Sequence, residues 1–196
     1  MKTKTLILSI GIIFLSAYAI FAQGDWDWNL ERDSFIIKTP YIFEGEVIKS
    51  EGYMATFKGH KDICTYSIVR IDKLLKGREV IKPGTIEVIT RGGTFGGQGR
   101  KIVTNDIAPQ GKMSGKVILF CKNSPYSSSG DTTDNEIKVT PRIRFADRKD
   151  PLWENGKPTK KYGFTAFGKN FTSKEEFYEF LAKYPGVTIP KEEEKK

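Results

Sequence analysis

The sequence predicts a mainly β protein: a small barrel of five or six strands, closed by one C-terminal amphipathic helix. Three observations predict it. Segments 41–50, 64–77, 85–90 and 116–123 are rich in Ile, Val, Phe and Tyr and are bounded by Gly, Pro or polar clusters. Segment 137–145 alternates with a period of two. Phe177, Phe180, Leu181 and Tyr184 recur at i, i+3, i+4 and i+7, the apolar stripe of a helix that docks on a sheet.

The first strand sets Phe43, Gly45 and Val47 on one face and Glu44 and Glu46 on the other. Gly45 in mid-strand points to a bulge or a sharp coil. Residues 51–62 read as a loop or a ragged strand end and contain His60, the one histidine. The second strand changes parity: Val69, Ile71 and Leu75 share one phase, Tyr66, Ile68 and Leu74 the other, as a bend, a bulge or burial of both faces would produce. Pro83-Gly84 turns the chain into the third strand.

Residues 91–101 (RGGTFGGQGRK) are rich in glycine but have neither the Walker spacing nor G-x-G-x-x-G. They read as a flexible hairpin loop. The functional alternative is a mobile binding loop that carries Phe95, with Arg91, Arg100 and Lys101 as charged flanks. Residues 101–104 read as strand. Residues 124–136 (SPYSSSGDTTDNE) read as an exposed, mobile loop. In the fifth strand Ile137, Val139, Ile143 and Phe145 face one way. Lys138, Arg142 and Arg144 then form a basic stripe, a candidate anion contact, and Pro141 signals an edge position or a bulge. Thr172, with Glu175 three residues on, fits a capping box for the helix, Pro185-Gly186 stops it, and residues 185–196 are expected to be a disordered tail.

Before the strand block come two further regions. Lys2 and Lys4, the apolar run 6–15 and the small residues Ser16, Ala17, Ala19 and Ala22 have the layout of a secretory signal peptide, with cleavage after Ala19 or Ala22. Residues 23–40 form an N-terminal extension, with Trp26 and Trp28 two apart and a segment 30–38 that fits a short helix or a strand. One domain, 41–184, follows. Export implies a secreted, periplasmic or cell-surface location, with no membrane span left after cleavage. The formal charge of +8, or +6 without Lys2 and Lys4, is compatible with an anionic partner or with solubility alone. The two cysteines, Cys64 and Cys121, could pair in an oxidising compartment or lie buried as thiols. Without C-x-x-C, G-x-S-x-G or a second histidine, thiol redox chemistry, nucleophilic hydrolysis and a metal set have no sequence support, and no cofactor is expected.

The strand pattern "IFEGEVI … YSIVRIDKLLKG … TIEVIT … GKVILF" resembles the N-terminal halves of uncharacterised secreted proteins of Bacteroidetes-type bacteria, and also netrin-like and TIMP-like modules built on an OB-type barrel. Phe43, Gly45 and Val47, the Lys76-Gly77 end of the long strand, and the run from Gly115 to Phe120 carry the resemblance, and segment 171–181 matches the helix that follows in the bacterial proteins. It implies an OB-like barrel over residues 40–184. Inhibition of the TIMP kind is not implied, because it needs a cysteine at the mature N-terminus and this chain has Gln23 or Gly24 there.

Three functions are open at this level. The first is a secreted, non-catalytic binding domain for a glycan, protein or other anionic partner of the envelope or extracellular space. Its contacts would come from Phe95, Arg100, Lys101, Lys138, Arg142 and Arg144, and export disfavours nucleic acid. The second is an accessory or structural protein of the cell envelope. The third is a hydrolase using Glu44 and Glu46, which an outward-facing, solvated Glu-x-Glu pair would not support.

Overall fold

The computed structural model describes residues 28–100, 111–146, 150–154 and 157–190. The chain order is α1 (Trp28–Lys38), β1 (Tyr41–Phe57), β2 (His60–Lys76), β3 (Gly84–Arg91), β4 (Gly93–Phe95), β5 (Gln98–Arg100), β6 (Gly115–Asn123), β7 (Lys138–Ala146), β8 (Asp150–Glu154), β9 (Lys157–Ala166), β10 (Lys169–Phe171) and α2 (Lys174–Leu181). β1, β2, β3, β7 and β6 close into a five-stranded barrel in that order, with β3 and β7 parallel and the other pairs antiparallel. This is the OB-like barrel the sequence predicts. The expected signal segment 1–22, Trp26 and residues 101–110 and 191–196 lie outside the described residues.

β6 shows why the barrel needs a second layer. Its residues Val117, Ile118, Leu119, Phe120 and Cys121 are all buried, as in a strand covered on both faces. Val117, Leu119 and Cys121 point into the barrel with Phe43, Val69, Ile86, Val88 and Val139. Ile118 and Phe120 point outward, into an aromatic layer with Ile36 of α1, Phe164 and Phe171 of the β8–β9–β10 sheet, and Phe177 and Leu181 of α2. Phe167 sits at the centre of that layer, with its ring against Phe35, Phe120, Phe145 and Phe177. It adopts a positive φ of 51° in the two-residue turn between β9 and β10, a left-handed conformation that an aromatic residue holds here because its ring is packed.

The structure resolves two open readings, the segment before the barrel and the parity of β2, and changes several expectations. The segment before the barrel is a helix, and its Ile36 is fully buried against the barrel wall. β1 and β2 run on without a break through residues 51–62 as one hairpin of 17 residues per strand, turned at Lys58-Gly59. The parity change in β2 is real: the register slips between Glu44 and Gly45, leaving Asp72 unpaired in the ladder, so that Ile71 and Leu74 line the interior and Leu75 the outer layer. β7 slips too, because Cys121 pairs with Pro141 and Phe120 with Ile143. The bulge at Arg142 splits the expected apolar row: Ile137 and Val139 face the interior, while Ile143 and Phe145 face the aromatic layer. The cap of α2 is Ser173, one residue later than expected. Its hydroxyl accepts from the Glu176 N–H, while Glu176 accepts from Thr172. The expected disordered tail is tied down as far as residue 190: Val187 and Ile189 pack on the aromatic layer, and Thr188 N–H donates to the Leu75 carbonyl.

Candidate functional site

The carboxylate pair is the first candidate to resolve. β1 carries Glu44 on the outer wall, and α2 is laid directly over it. Glu44 is 4% exposed. One of its oxygens accepts from Lys174 Nζ at 2.7 Å and the other from the Tyr178 hydroxyl. Glu46 stays near the surface in a pair with Arg70. The expectation that both glutamates face solvent is therefore wrong for Glu44. A sealed carboxylate with both oxygens occupied cannot meet a substrate, and the pair does not form a glycosidase constellation. Among the described residues no group of three or more His, Cys, Asp or Glu side chains is placed to hold a metal ion. His60 is exposed beside the β1–β2 turn.

The possible Cys64–Cys121 disulfide is also absent. Cys64 pairs with Tyr53 and Cys121 with Tyr41, twelve positions apart on β1. Twelve residues of extended chain span about 40 Å, against a Cα separation of under about 7 Å for a bridge. The two sulfurs are buried in different clusters, and burial pushes the Cys121 thiol well above its ordinary value.

The basic stripe does not survive the bulge in β7. Arg142 lays its guanidinium over the Phe35 ring at 4.3 Å, so it seals α1 to the barrel. Lys138 is half-buried opposite Glu87 of β3. Arg144 is exposed, alone of the three. These side chains therefore do not line one groove.

The outer wall of β2 and β3, the face through which OB-type barrels engage ligands, is covered by the chain's own residues 124–136. The sequence reads this segment as mobile, but here it is a strap. Tyr53 donates to the Ser127 carbonyl, and Ser127 N–H donates to the Thr56 carbonyl. Buried Glu87 accepts from the Ser128 hydroxyl and the Ser129 N–H. Asp131 pairs with Lys49 at 2.8 Å, which holds the carboxyl below its ordinary range and the ammonium above its own. Asp134 accepts from the Thr85 backbone and hydroxyl, which lowers it likewise. Asn135 is buried and bonds to both backbone groups of Lys82. Underneath lie Tyr53, Ala55, Cys64, Tyr66, Ile68 and Ile89, with Tyr126 of the strap packed on them. Composition alone shows turn residues here, because the partners lie 41 to 82 positions away.

The glycine-rich loop is a built hairpin, β4–β5, turned at Gly96-Gly97, both with positive φ. It crosses the β1–β2 ribbon on the face opposite the strap. The crossing is close enough that a Cβ on Gly52 would lie 1.9 Å from the Thr94 carbonyl oxygen, and one on Gly93 would lie 2.2 Å from Thr65 Oγ1. Thr65, fully buried, donates to the Gly92 carbonyl at the root of the hairpin. Arg91, also at the root, pairs with Asp62 at 2.9 Å. Phe95 stands 44% exposed at the tip. Arg100 closes β5, and Lys101 lies outside the described residues.

One surface combines exposed apolar and cationic side chains. The ribbon face that carries β4–β5 also carries Met54, 38% exposed, and the cross-strand pair Thr56 and Lys61, both exposed. Lys58 and His60 stand exposed around the turn. Sequence reading found Phe95 but missed Met54, Lys58 and Lys61, since it placed them in a loop. The dipeptides Lys58-Gly59 and Gly96-Gly97, each between β-rich residues, were the available signal for rigid two-residue turns. Where β1 and β6 part beyond the bulge at Ile48, a shallow groove of about 420 Å³ opens between residues 47–50 and 112–114. No described helix is long and apolar enough to cross a membrane. Compared with known proteins, the chain matches no family model, no curated protein and no solved structure.

Proposed function

We propose that the chain is a secreted, non-catalytic binding module whose contact surface is the far end of the β1–β2 ribbon together with the β4–β5 hairpin laid across it. The observation that carries the reading is the exposure of Phe95 and Met54 on the ribbon face that also presents Lys61, with Lys58 at its turn. Large apolar side chains held out on braced hairpins fit a recognition surface. Glycine turns, the strap and the Thr65–Gly92 bond keep that surface preformed, which lowers the ordering cost of binding. The partner is a component of the cell envelope or extracellular space. An accessory structural role there is the alternative, and it would use the same projecting surface.

The test is an array of envelope glycans, nucleic acids and lipids probed with the purified chain. The wild type is compared with Phe95→Glu and with Lys58→Glu/Lys61→Glu. Binding to one probe class that both variants reduce at least tenfold supports the surface. Binding that both variants leave unchanged overturns it.

A further inference from the structure

We infer that the partner of this surface is an anionic lipid bilayer, met by the β1–β2 ribbon face with Phe95 and Met54 entering the headgroup region and Lys58 and Lys61 contacting the acidic headgroups. The inference rests on the binding surface proposed above. The shape argues for a bilayer over a soluble chain molecule. Sugars and single-stranded nucleic acids are held in grooves, with aromatic rings as platforms and polar side chains converging on them. The surface here is one long hairpin with a second laid across it, and its exposed aromatic residue, Phe95, directly precedes a glycine turn. Apolar tips flanked by lysines are what an interfacial anchor presents.

The charge distribution agrees. The acids of this region are on the other side or already neutralised. Asp131 of the strap pairs with Lys49, Glu51 accepts from Tyr66, and Asp62 is taken by Arg91. Asp131 and Tyr66 belong to the strapped face, so the strap's carboxylates would point away from a bilayer that met Met54. Lys61 is left as the cation of the Met54 face, while Lys58 stands at the turn with its ammonium over the Phe57 ring, and each lysine close to an anionic surface strengthens binding about fivefold.

The experiment is co-sedimentation of the full chain with vesicles of phosphatidylcholine alone and of phosphatidylcholine with about 30% phosphatidylglycerol, in low and high salt. The expected result is partitioning at least tenfold stronger on the anionic vesicles and weakened by salt. Phe95→Glu and Lys58→Glu/Lys61→Glu should each lower it about tenfold or more, while Lys122→Glu/Arg144→Glu stays within about twofold. Thermal melts of all variants confirm folding. Equal binding to neutral vesicles, no vesicle binding, or indifference to the hairpin substitutions overturns the inference. A parallel arm uses a soluble sulfated polysaccharide. If the hairpin variants lose that binding while vesicles never bind, the lipid inference fails and the surface stands. If the variants change binding to neither probe, both fall.

Discussion

Glu44 shows how one side chain changes meaning once its surroundings are known. On β1 it alternates with apolar residues like any solvated strand position, yet the residue that neutralises it comes 130 positions later. A buried carboxylate is tolerated only when its charge is met and its lone pairs are filled. Lys174 and Tyr178 do both. Removing the cation should therefore cost more than removing the hydroxyl. Lys174→Met is expected to destabilise by about 3 kcal/mol, since Lys174 is partly exposed and sits at the low end of the range for breaking a buried pair. Tyr178→Phe should cost about 1–2 kcal/mol. Replacing all three by apolar residues of similar volume should recover most of the loss. Urea unfolding of the set checks this, and a Lys174→Met variant within about 0.5 kcal/mol of wild type would show that the pair is not holding α2.

At the scale of elements, the strap and the β4–β5 hairpin are the pieces whose order is borrowed from elsewhere. The strap depends on Asp131 and Asp134, whose carboxyls are held below their ordinary values by Lys49 and Thr85. A carboxylate with a depressed folded-state pKa contributes stability that is complete above the unfolded value of about 3.9 and is lost as pH falls through the folded value. The strap is expected to loosen on acidification below about pH 4. Asp131→Asn/Asp134→Asn should loosen it at neutral pH. Limited proteolysis within residues 124–136 reads both effects, and a strap equally resistant in wild type and variant would refute the assignment. The hairpin depends on Gly52. A Cβ there meets the Thr94 carbonyl, a backbone atom that cannot turn aside. Gly52→Ala should free β4–β5 while leaving the barrel folded, seen as faster amide exchange in residues 93–100 and unchanged protection in β6.

At the scale of the molecule, the barrel is held by two apolar layers with no covalent staple. A chain of this size buries enough surface to fold without one. Intact mass under non-reducing conditions should therefore show both thiols reduced. Alkylation should require denaturant, and a reducing agent should leave the melting temperature unchanged. A mass deficit of about 2 Da, the signature of a disulfide, would contradict the register that separates Tyr41 from Tyr53.

What could be read from the chain alone was whatever short-range pattern determines. The five-residue apolar run of β6, the alternation of β1, the stripe on α2 and the turn glycines each report a local period or a local dihedral requirement. Those were enough for a mainly β barrel with one closing helix. Parity beyond a bulge was not legible. A single extra residue at Arg142 moves Ile143 and Phe145 to the other face, and Pro141 signals an edge or a bulge without saying which residue is extra. Nor was the fate of polar residues. Ser128, Asn135 and Glu44 look like surface in sequence, and only the tertiary structure decides which of them find partners, because the hydrogen bonds that make burial tolerable are to residues 41, 53 and 130 positions distant. The candidate surface follows the same rule. Phe95 was visible as an exposed aromatic in a glycine loop, but its place on the ribbon face with Met54 and Lys61 exists only because β4–β5 crosses β1 at a residue with no side chain.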